Sequence, residues 1–371
     1  MADRVGVDGP TDGPTAAELR AGCDRFLLGH GERSPATVLA EVHDVLGDVE
    51  PDRYGDGGVV TELETEVAAL LGKPAAVLMP SGTMAQQIAL RVHADRTGRR
   101  TVLWHPTCHL ALHEDQAVER LHGLHPRPVG DPRRLIELSD LEEVAEHAGT
   151  LLLELPQREI GGQLPSWDDL VAQTALARSH GTARHLDGAR LLESLPFYGR
   201  PAAEVAALFD SVYLSLYKGL GGIAGCVLAG DEQLVAEARE WRHRHGGTLF
   251  GLWPYAAAGL AGLRLRGPRM PAYVQHATAI AAALAGLDGV RLVPDPPQAQ
   301  MVHLHVDRPA DDLLAGVRRV AAERKVWTWS FTFPAETPGW SVVELSVGDA
   351  TLDFTPTEVR EVVAAVMGAT S

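Results

Sequence analysis

Residues 211–222 read SVYLSLYKGLGG, an apolar run that ends at a lysine followed by glycines. A short apolar run bounded by glycine is typical of a strand buried inside a sheet. Lys218 would then stand at the end of a buried strand, where the loss of water lowers the pKa of its amine and makes the amine a usable nucleophile. The alternative is a loop lysine whose ammonium group reaches solvent.

Lysine is scarce in this chain. It occurs only at Lys73, Lys218 and Lys325, although lysine and arginine together number 33. An arginine side chain stays protonated and cannot form an imine, whereas a desolvated lysine amine can. The scarcity is consistent with a lysine that is retained because its amine takes part in catalysis. It is equally consistent with drift in composition that left three lysines by chance.

Short apolar runs alternate with helical stretches between about residues 75 and 230. Strands that alternate with helices are typical of α/β proteins with a mostly parallel sheet. Longer helices are predicted over about 231–245, 251–265 and 271–287. The apolar runs are AAVLM (75–79), TVLW (101–104), TLLLEL (150–155), ARHL (183–186), SVYLSL (211–216) and IAGCVLA (223–229).

The pattern changes after residue 288. The runs VRLVPD, AQMVHLHV, VWTWSFTF and WSVVELSV follow, with helices predicted near 310–323 and from 356. This order predicts a small C-terminal α+β domain at 288–371 and a large α/β domain at 19–287. Residues 1–18, rich in glycine, aspartate and proline, are predicted to be a mobile N-terminal tail.

Composition excludes several classes of protein. With 49 acidic against 33 basic residues, the net charge of -16 would repel a nucleic-acid backbone. No segment approaches the roughly 18 apolar residues of a membrane-spanning helix, and the N-terminus lacks the apolar stretch of a signal peptide. Three cysteines without a CxxC pair predict neither a disulfide framework nor a zinc site. We therefore expect a cytoplasmic protein that binds neither nucleic acid nor membranes.

Polar residues stand directly after several of the predicted strands, where open α/β sheets bind their ligands. Ser81-Gly82-Thr83 follow AAVLM and open a helix, whose N–H groups and positive end suit a phosphate. Asp187 follows ARHL, where a carboxylate can pair with a protonated pyridine nitrogen. Ser81 and Asp187 could also simply cap the helices that follow them. Together with Lys218, these residues are the parts that pyridoxal 5'-phosphate requires.

Five stretches carry a resemblance to a known family over about residues 50 to 265: YGDGGVVTELE (54–64), PSGTMAQQIAL (80–90), HLDGARLLES (185–194), LYKGLGGIAGCVLAG (216–230) and EWRHRHGG (240–247). The resemblance is to the threonine aldolase and β-eliminating lyase branch of the fold-type-I pyridoxal-phosphate enzymes. It implies a transferase-like large domain with a mostly parallel sheet, a small C-terminal α+β domain, an amino-acid substrate and a homodimer or homotetramer.

The resemblance implies catalytic roles for four residues. Lys218 would hold the cofactor through an imine, and Asp187 would bind its pyridine nitrogen. His109, which precedes Glu114 by five residues as in the H-x4-E element of the family, would stack on the cofactor ring and assist proton transfer. Arg190, in the DGAR motif, is similar to the arginine that pairs with the substrate carboxylate.

Further positions are implied at the phosphate and the substrate. Gly82 and Thr83, with Ser81 beside them, would contact the phosphate, as would Ser215. The Glu-Asn-Thr-His run of the family is replaced by Glu154-Leu155-Pro156-Gln157, so an amide that cannot act as a base stands where the family has histidine. The N-terminal Ser-Asp-Thr of the family is replaced near Gly29-His30-Gly31. We nevertheless expect Gln157 and His30 near the substrate.

These observations predict a pyridoxal-phosphate-dependent carbon–carbon lyase that cleaves β-hydroxy-α-amino acids to glycine and an aldehyde. The alternatives are β-elimination or aldol-type transfer on another amino acid, and a non-catalytic ligand-binding protein. Ser215-x-x-Lys218 also fits the nucleophile motif of penicillin-recognising enzymes, but S-D-N and K-T-G do not occur. A metal site is a weaker alternative, and we expect none; its ligands would come from His105, Cys108, His109, His113 and Glu114.

Overall fold

A computed structural model describes residues 4–7, 13–144 and 148–368. These residues form two compact units. The larger unit is Ser34–Arg269, and the smaller unit combines the described parts of Met1–Arg33 and Met270–Ser371.

Strands occur in both units. Those of the larger unit run from β3 to β9, and the others belong to the smaller unit. The strands are β1 (Val5–Gly6), β2 (Arg25–Phe26), β3 (Ala75–Met79), β4 (Thr101–Trp104), β5 (His125–Pro128), β6 (Thr150–Glu154), β7 (Ala183–Asp187), β8 (Ser211–Ser215), β9 (Cys226–Gly230), β10 (Val290–Val293), β11 (Met301–Val306), β12 (Val326–Trp327), β13 (Phe331–Pro334) and β14 (Ser341–Ser346).

Helices separate most of the strands, and short 3₁₀ turns add to them. Within the described ranges, no helix is both long enough and apolar enough to cross a lipid bilayer. The helices are α1 (Ala16–Ala21), α2 (Pro35–Leu46), α3 (Gly58–Leu71), α4 (Gly82–Thr97), α5 (His109–His113), α6 (Ala117–His122), α7 (Leu138–Glu142), α8 (Trp167–Ser179), α9 (Leu191–Tyr198), α10 (Ala202–Ala206), α11 (Glu232–Arg244), α12 (Trp253–Arg266), α13 (Met270–Leu284), α14 (Ala310–Arg324) and α15 (Pro356–Met367), and the 3₁₀ turns are Arg158–Ile160, Gly267–Arg269 and Thr351–Asp353.

The sheet of the larger unit has the strand order β3-β9-β8-β7-β6-β4-β5. Strand β9 runs antiparallel to both β3 and β8, and the other neighbouring strands run parallel. This confirms the α/β fold with a mostly parallel sheet. All residues of β6 and β8 are buried, as expected for central strands with both faces covered by helices.

The register of the central strands fixes where their polar ends lie. Glu154 at the end of β6 pairs with Asp187 at the end of β7, and Asp187 in turn pairs with Tyr213 of β8. Helix α4 packs through Ile88 against a core that includes Tyr213 and Leu228. The carboxyl ends of β6, β7 and β8 and the start of α4 therefore lie in one unit with defined register.

Strand β5 was not predicted from the sequence. Its residues, HPRP, contain two prolines, which lack the N–H group that a central strand needs. The strand is tolerated because it lies at the edge of the sheet, where β4 is its one neighbour among the strands that the structure describes.

The smaller unit contains an antiparallel sheet in the order β1-β13-β14-β11-β10 and a parallel pair of β12 with β2. It is the predicted small α+β domain, but it differs in extent from 288–371, because it also takes in Met270–Leu284 and residues before 34. Val5–Gly6 pair with β13, and Arg25–Phe26 pair with β12. Strands of two residues are too short to show a hydrophobic period.

The predicted tail at 1–18 is only partly described, since residues 1–3 and 8–12 lie outside the described ranges. Among the others, Val5–Gly6 form β1, and α1 begins at Ala16 behind a capping box between Thr15 and Glu18. These residues are thus part of the smaller unit rather than a separate tail.

A close backbone contact supports the loop that carries Lys218, and it yields a stability prediction. A Cβ atom at Gly262, inside α12, would lie 2.2 Å from the carbonyl oxygen of Leu220. Gly262→Ala must therefore displace backbone, and we expect it to destabilise the chain by about 1–3 kcal/mol. The measurement is the urea midpoint of unfolding.

Gly267→Ala is the matched control at the end of the same helix. Gly267 has helical backbone angles, and its added Cβ would only reach Leu263 Cδ1 at 3.7 Å. We expect this variant to lie within about 1 kcal/mol of the unchanged chain. Equal midpoints for the two variants would contradict the tight contact at Gly262.

Candidate active site

One pocket lies at the carboxyl ends of β6, β7 and β8. It brings together four residues that the sequence predicted to be catalytic: Lys218, Asp187, Arg190 and His109. Its complete lining is His109, Glu154, Leu155, Pro156, Arg158, Asp187, Ala189, Arg190 and Lys218.

Lys218 lies three residues beyond Ser215, the last residue of β8, and is partly buried. Burial lowers the pKa of its amine, Arg190 acts in the same direction, and the negative charge of Asp187 opposes them. A lowered pKa increases the fraction of neutral amine, which is the nucleophilic form.

Asp187 is the last residue of β7 and is only 4% exposed. Its Oδ1 atom accepts a hydrogen bond from the backbone N–H of Ala189 at 3.0 Å, and its Oδ2 atom accepts one from Gln86 Nε2. Burial raises the pKa of this carboxyl group, while Lys218 and the hydrogen bonds lower it. Asp187 therefore caps the following turn, and its partners favour the ionised carboxylate.

His109 begins the short helix α5 beside the pocket. Its backbone N–H donates to Glu154 Oε1 at 2.5 Å, and its Nε2 atom lies 3.9 Å from Glu114 Oε1. Burial lowers the pKa of the His109 imidazole to about 3, helped by the positive charge of Lys218. The ring is thus neutral near pH 7, with one nitrogen free of a proton.

Two buried carboxyl groups add to the pocket. Burial and the neighbouring charge of Asp187 raise the pKa of Glu154 to about 8. Burial also raises the pKa of Glu114 to about 7, against a hydrogen bond from the side chain of Thr83. Glu154 therefore keeps its proton near pH 7, and the contact between Glu114 and Thr83 links the pocket to the first turn of α4.

The start of α4 has the features of an anion site. Ser81 is its N-cap and accepts a hydrogen bond from Met84 N at 3.2 Å. A Cβ atom at Gly82 would lie 2.5 Å from the hydroxyl oxygen of Tyr213, so only glycine fits there. The hydroxyl of Ser215 is buried and, among the residues that the structure describes, has no hydrogen-bond partner. An orphaned hydroxyl beside a helix N-terminus fits a phosphate group.

Two predicted substrate residues, Gln157 and His30, are not among the residues that line this pocket. Gln157 is buried and its Nε2 atom donates to the backbone oxygen of Thr107 at 3.4 Å, in an adjoining cavity that Cys108 also lines. The next residue, Arg158, lines the Lys218 pocket instead. His30 lies in the smaller unit, where its Nδ1 atom accepts a hydrogen bond from Asp349 N at 3.2 Å.

The histidines that suggested a metal site have other partners. His105 contacts Thr107 Oγ1 through Nδ1 at 2.9 Å and the backbone oxygen of Arg134 through Nε2 at 2.8 Å. His113 Nε2 lies 2.9 Å from Glu159 Oε1. Within the described part of the chain, no group of three or more possible ligands converges on one point. Ser215 is the last residue of strand β8 and does not open a helix, unlike the serine of penicillin-recognising enzymes.

Three residues near the pocket were not predicted as site residues: Glu154, Arg158 and Gln86. Glu154 ends the buried strand TLLLE, and a lone acid at the end of an otherwise uncharged strand is a signal that could have identified it. Gln86 lies four residues into α4, and only the packing of this helix against β7 brings it to Asp187. Arg158 could not be distinguished from Gln157 by position in the sequence.

Comparison with known proteins identifies close relatives. The model of the beta-eliminating lyase family matches residues 39–308. A low specificity L-threonine aldolase of Escherichia coli is 30% identical over 266 residues, which cover 70% of this chain and 78% of that protein.

Two crystal structures also match most of the chain. One, from Listeria monocytogenes and provisionally assigned as an L-allo-threonine aldolase, is 37% identical with a TM-score of 0.88, covering 94% of this chain and 98% of the other. The second, from Exiguobacterium and provisionally assigned as an aromatic amino acid beta-eliminating lyase/threonine aldolase, is 38% identical with a TM-score of 0.89, covering 95% and 99%. The fold is that of the fold-type-I pyridoxal-phosphate enzymes.

The raised pKa of Glu154 yields a prediction about stability and pH. The unfolded chain loses this proton near the ordinary value of 4.5 and the folded chain only near about 8, so stability falls as pH rises through this window. Glu154→Gln keeps an acceptor for the His109 N–H and removes the titration. We expect the variant to gain about 2 kcal/mol relative to the unchanged chain between pH 5 and pH 8.5, measured by urea unfolding without cofactor.

Glu240→Gln is the control, because Glu240 is exposed on α11 and pairs with Arg244 within its own helix. The free energy of unfolding of the Glu240→Gln variant should equal that of the unchanged chain at every pH. A Glu154→Gln curve parallel to the unchanged curve would show that Glu154 does not hold its proton in the folded state.

Proposed function

The chain belongs to the beta-eliminating lyase family, and we propose that it cleaves β-hydroxy-α-amino acids such as threonine to glycine and an aldehyde, with pyridoxal 5'-phosphate as its cofactor. The observation that carries this proposal is that Lys218, Asp187 and Arg190 line one pocket, in which the negative charge of Asp187 acts on the amine of Lys218. The relatives named as threonine aldolases support the same reaction.

The residues present fit this cofactor. Lys218 would hold its aldehyde carbon, and Asp187 would pair with its ring nitrogen. His109 would stack on the ring, while Ser81, Gly82, Thr83 and Ser215 would bind the phosphate at the start of α4. When bound, the cofactor supplies an electron sink for the bond that breaks at the α-carbon.

The substrate carboxylate would be held by arginine. Arg190 lines the pocket at the start of α9, and Arg158 lines it from the turn after β6. A guanidinium group can donate two parallel hydrogen bonds to a carboxylate and so fixes the orientation of the α-carbon. We assign Arg190 as the main partner and Arg158 as a second positive charge beside it.

A proton must leave the β-hydroxyl when the carbon–carbon bond breaks. Gln157 is an amide directed at Thr107 and cannot accept this proton. We assign the role to His109, whose imidazole is neutral, with Glu114 Oε1 3.9 Å from its Nε2 atom as the next acceptor. Glu154 retains its own proton near pH 7 and would act as a hydrogen-bond donor.

Two alternative functions make different predictions. In β-elimination or aldol-type transfer on another amino acid, the same pocket would bind the cofactor and glycine but release no aldehyde from threonine. In a non-catalytic binding protein, the cofactor spectrum would persist without turnover of any amino acid. The relatives named as threonine aldolases favour cleavage over both.

We also propose a homodimer or homotetramer in the cytoplasm. Tyr54, Phe250 and Trp253 of the larger unit are 57%, 68% and 41% exposed, and exposed aromatic groups favour association between subunits. Cys108 and Cys226 are buried free thiols, as expected in a reducing compartment.

The proposal predicts that the chain with pyridoxal phosphate releases an aldehyde from at least one of L-threonine, L-allo-threonine and phenylserine. Lys218→Arg should abolish both this release and the visible absorbance of covalently held cofactor, because a guanidinium group forms no imine. Absorbance spectra and a coupled aldehyde assay measure the two effects.

Lys73→Arg is the matched control. The Nζ atom of Lys73 donates to the backbone oxygen of Phe209 at 2.6 Å, outside the pocket, and arginine can replace that bond. This variant should keep the spectrum and most of the activity. A visible spectrum of covalent cofactor in Lys218→Arg would contradict the assignment of Lys218.

The carboxylate assignment is tested with Arg190→Lys. Lysine keeps the charge but loses the two-pronged hydrogen bond, so we expect KM for the amino acid to rise about 10- to 100-fold with a smaller change in kcat. Arg178→Lys, on the exposed surface of α8, should change neither constant. A fall in kcat with unchanged KM would instead place Arg190 away from the substrate carboxylate.

A further inference from the structure

A continuous chain of buried side chains leads from Asp187 into the larger unit. Gln86 Nε2 donates to Asp187 Oδ2, and Gln86 Oε1 lies 2.6 Å from His185 Nε2. His185 Nδ1 lies 2.7 Å from Ser211 Oγ, which lies 2.7 Å from His93 Nε2. Each of these five side chains belongs to a residue that is less than 5% exposed, at 4%, 1%, 0%, 0% and 3% in the order of the chain.

The direction of every bond in this chain follows from its first member. A carboxylate only accepts hydrogen bonds, so Gln86 presents its amide NH₂ group to Asp187 and its oxygen to His185. His185 must then carry its proton on Nε2, which leaves Nδ1 to accept from the Ser211 hydroxyl. The oxygen of Ser211 accepts in turn from the Nε2–H group of His93. All donors therefore point toward Asp187.

His185 has to be neutral for this order to hold, because its Nδ1 atom accepts, and the surroundings of both imidazoles favour the neutral form. Burial lowers the pKa of His185 to about 3 and that of His93 to about 4. The charged groups that act on His93 are of both signs, Asp210 and Asp231 against Arg96 and Arg184, so they largely offset each other.

We propose that Gln86, His185, Ser211 and His93 form a one-directional hydrogen-bond chain that positions Asp187 as an oriented carboxylate for the cofactor ring nitrogen. The four are positioning residues, because among them only Gln86 contacts Asp187 and none lines the pocket. This inference rests on the proposed function. It adds to that function four buried side chains that hold the carboxylate of Asp187 in place.

A structural role alone would be a simpler explanation, since buried polar groups need partners in any protein. The neighbouring residue argues against it. Gln87 is on the same helix and equally buried at 3%, yet its Oε1 atom has no hydrogen-bond partner among the described residues. The fold thus tolerates an unsatisfied amide oxygen at this depth. In contrast, each of Gln86, His185, Ser211 and His93 is hydrogen-bonded to the next, and the series ends at the carboxylate of Asp187.

The test compares two cofactors that differ only at the ring nitrogen. Pyridoxal phosphate and its 1-deaza analogue, in which carbon replaces that nitrogen, form the same bond to Lys218. We expect Gln86→Met to weaken binding of pyridoxal phosphate by about tenfold and to leave binding of the deaza analogue nearly unchanged, because one charge-assisted hydrogen bond to Asp187 is lost. Equilibrium dissociation constants are measured on the full chain after removal of cofactor.

Gln87→Met is the matched control and should leave the ratio of the two dissociation constants as in the unchanged chain. Equal weakening of both cofactors by Gln86→Met would show a merely structural role and overturn the inference, as would no change in either. Failure of the unchanged chain to bind either compound would overturn the proposed function, and this inference with it.

Ser211→Ala extends the test if Gln86→Met does not fold. It removes one hydroxyl at a buried position and leaves Gln86 in contact with Asp187. The series of hydrogen bonds then begins at His185 instead of His93. We expect the preference for pyridoxal phosphate over the deaza analogue to fall by about two- to threefold. An unchanged preference in this variant would show that His185, Ser211 and His93 do not help to position Asp187, and would overturn that part of the inference.

Discussion

The opposed charges of Lys218 and Asp187, both removed from water at the ends of adjacent strands, constrain everything else in this pocket. Each alone would be strongly disfavoured, because an ion in a medium of low polarity loses its hydration. Together each charge lowers the cost of the other, and the backbone N–H of Ala189 and the amide of Gln86 complete the shell of Asp187. The lysine is left with a lowered pKa and the aspartate with a fixed orientation. Both are conditions that imine chemistry requires.

Burial, together with the crowding of carboxyl groups around this pair, explains the raised pKa values of Glu154 and Glu114. Glu154 is in register with Asp187, and Glu114 is also close enough to feel its charge. Three buried carboxylates near one amine could not all be ionised, so Glu154 and Glu114 hold protons up to pH values at which exposed glutamates have lost them. The pocket thereby contains a protonated acid beside the unprotonated imidazole of His109.

In the loop after β6, the sequence alone suggested a wrong role for Gln157. Gln157 occupies the position at which the resembling family has histidine, which suggested an altered substrate contact. The backbone N–H of Gln157 pairs with Gln163, and its side chain turns toward Thr107. Arg158 lines the pocket in its place. The departure from the family in this loop therefore affects the charge of the pocket, through Arg158, as well as the residue that could act as a base.

Apolar runs of four to seven residues, alternating with helices, determined the mostly parallel sheet, because burial of a strand on both faces leaves a continuous apolar run in the sequence. Lys218, Asp187 and Ser81-Gly82-Thr83 could be assigned to strand ends for the same reason. Three features depend on contacts between residues far apart in sequence: the register that sets Glu154 against Asp187, the packing of α4 that brings Gln86 to Asp187, and the pairing of Val5–Gly6 with β13. Only the tertiary structure decided them, because hydrogen-bond partners and desolvation depend on distance in space, which no spacing along the chain encodes.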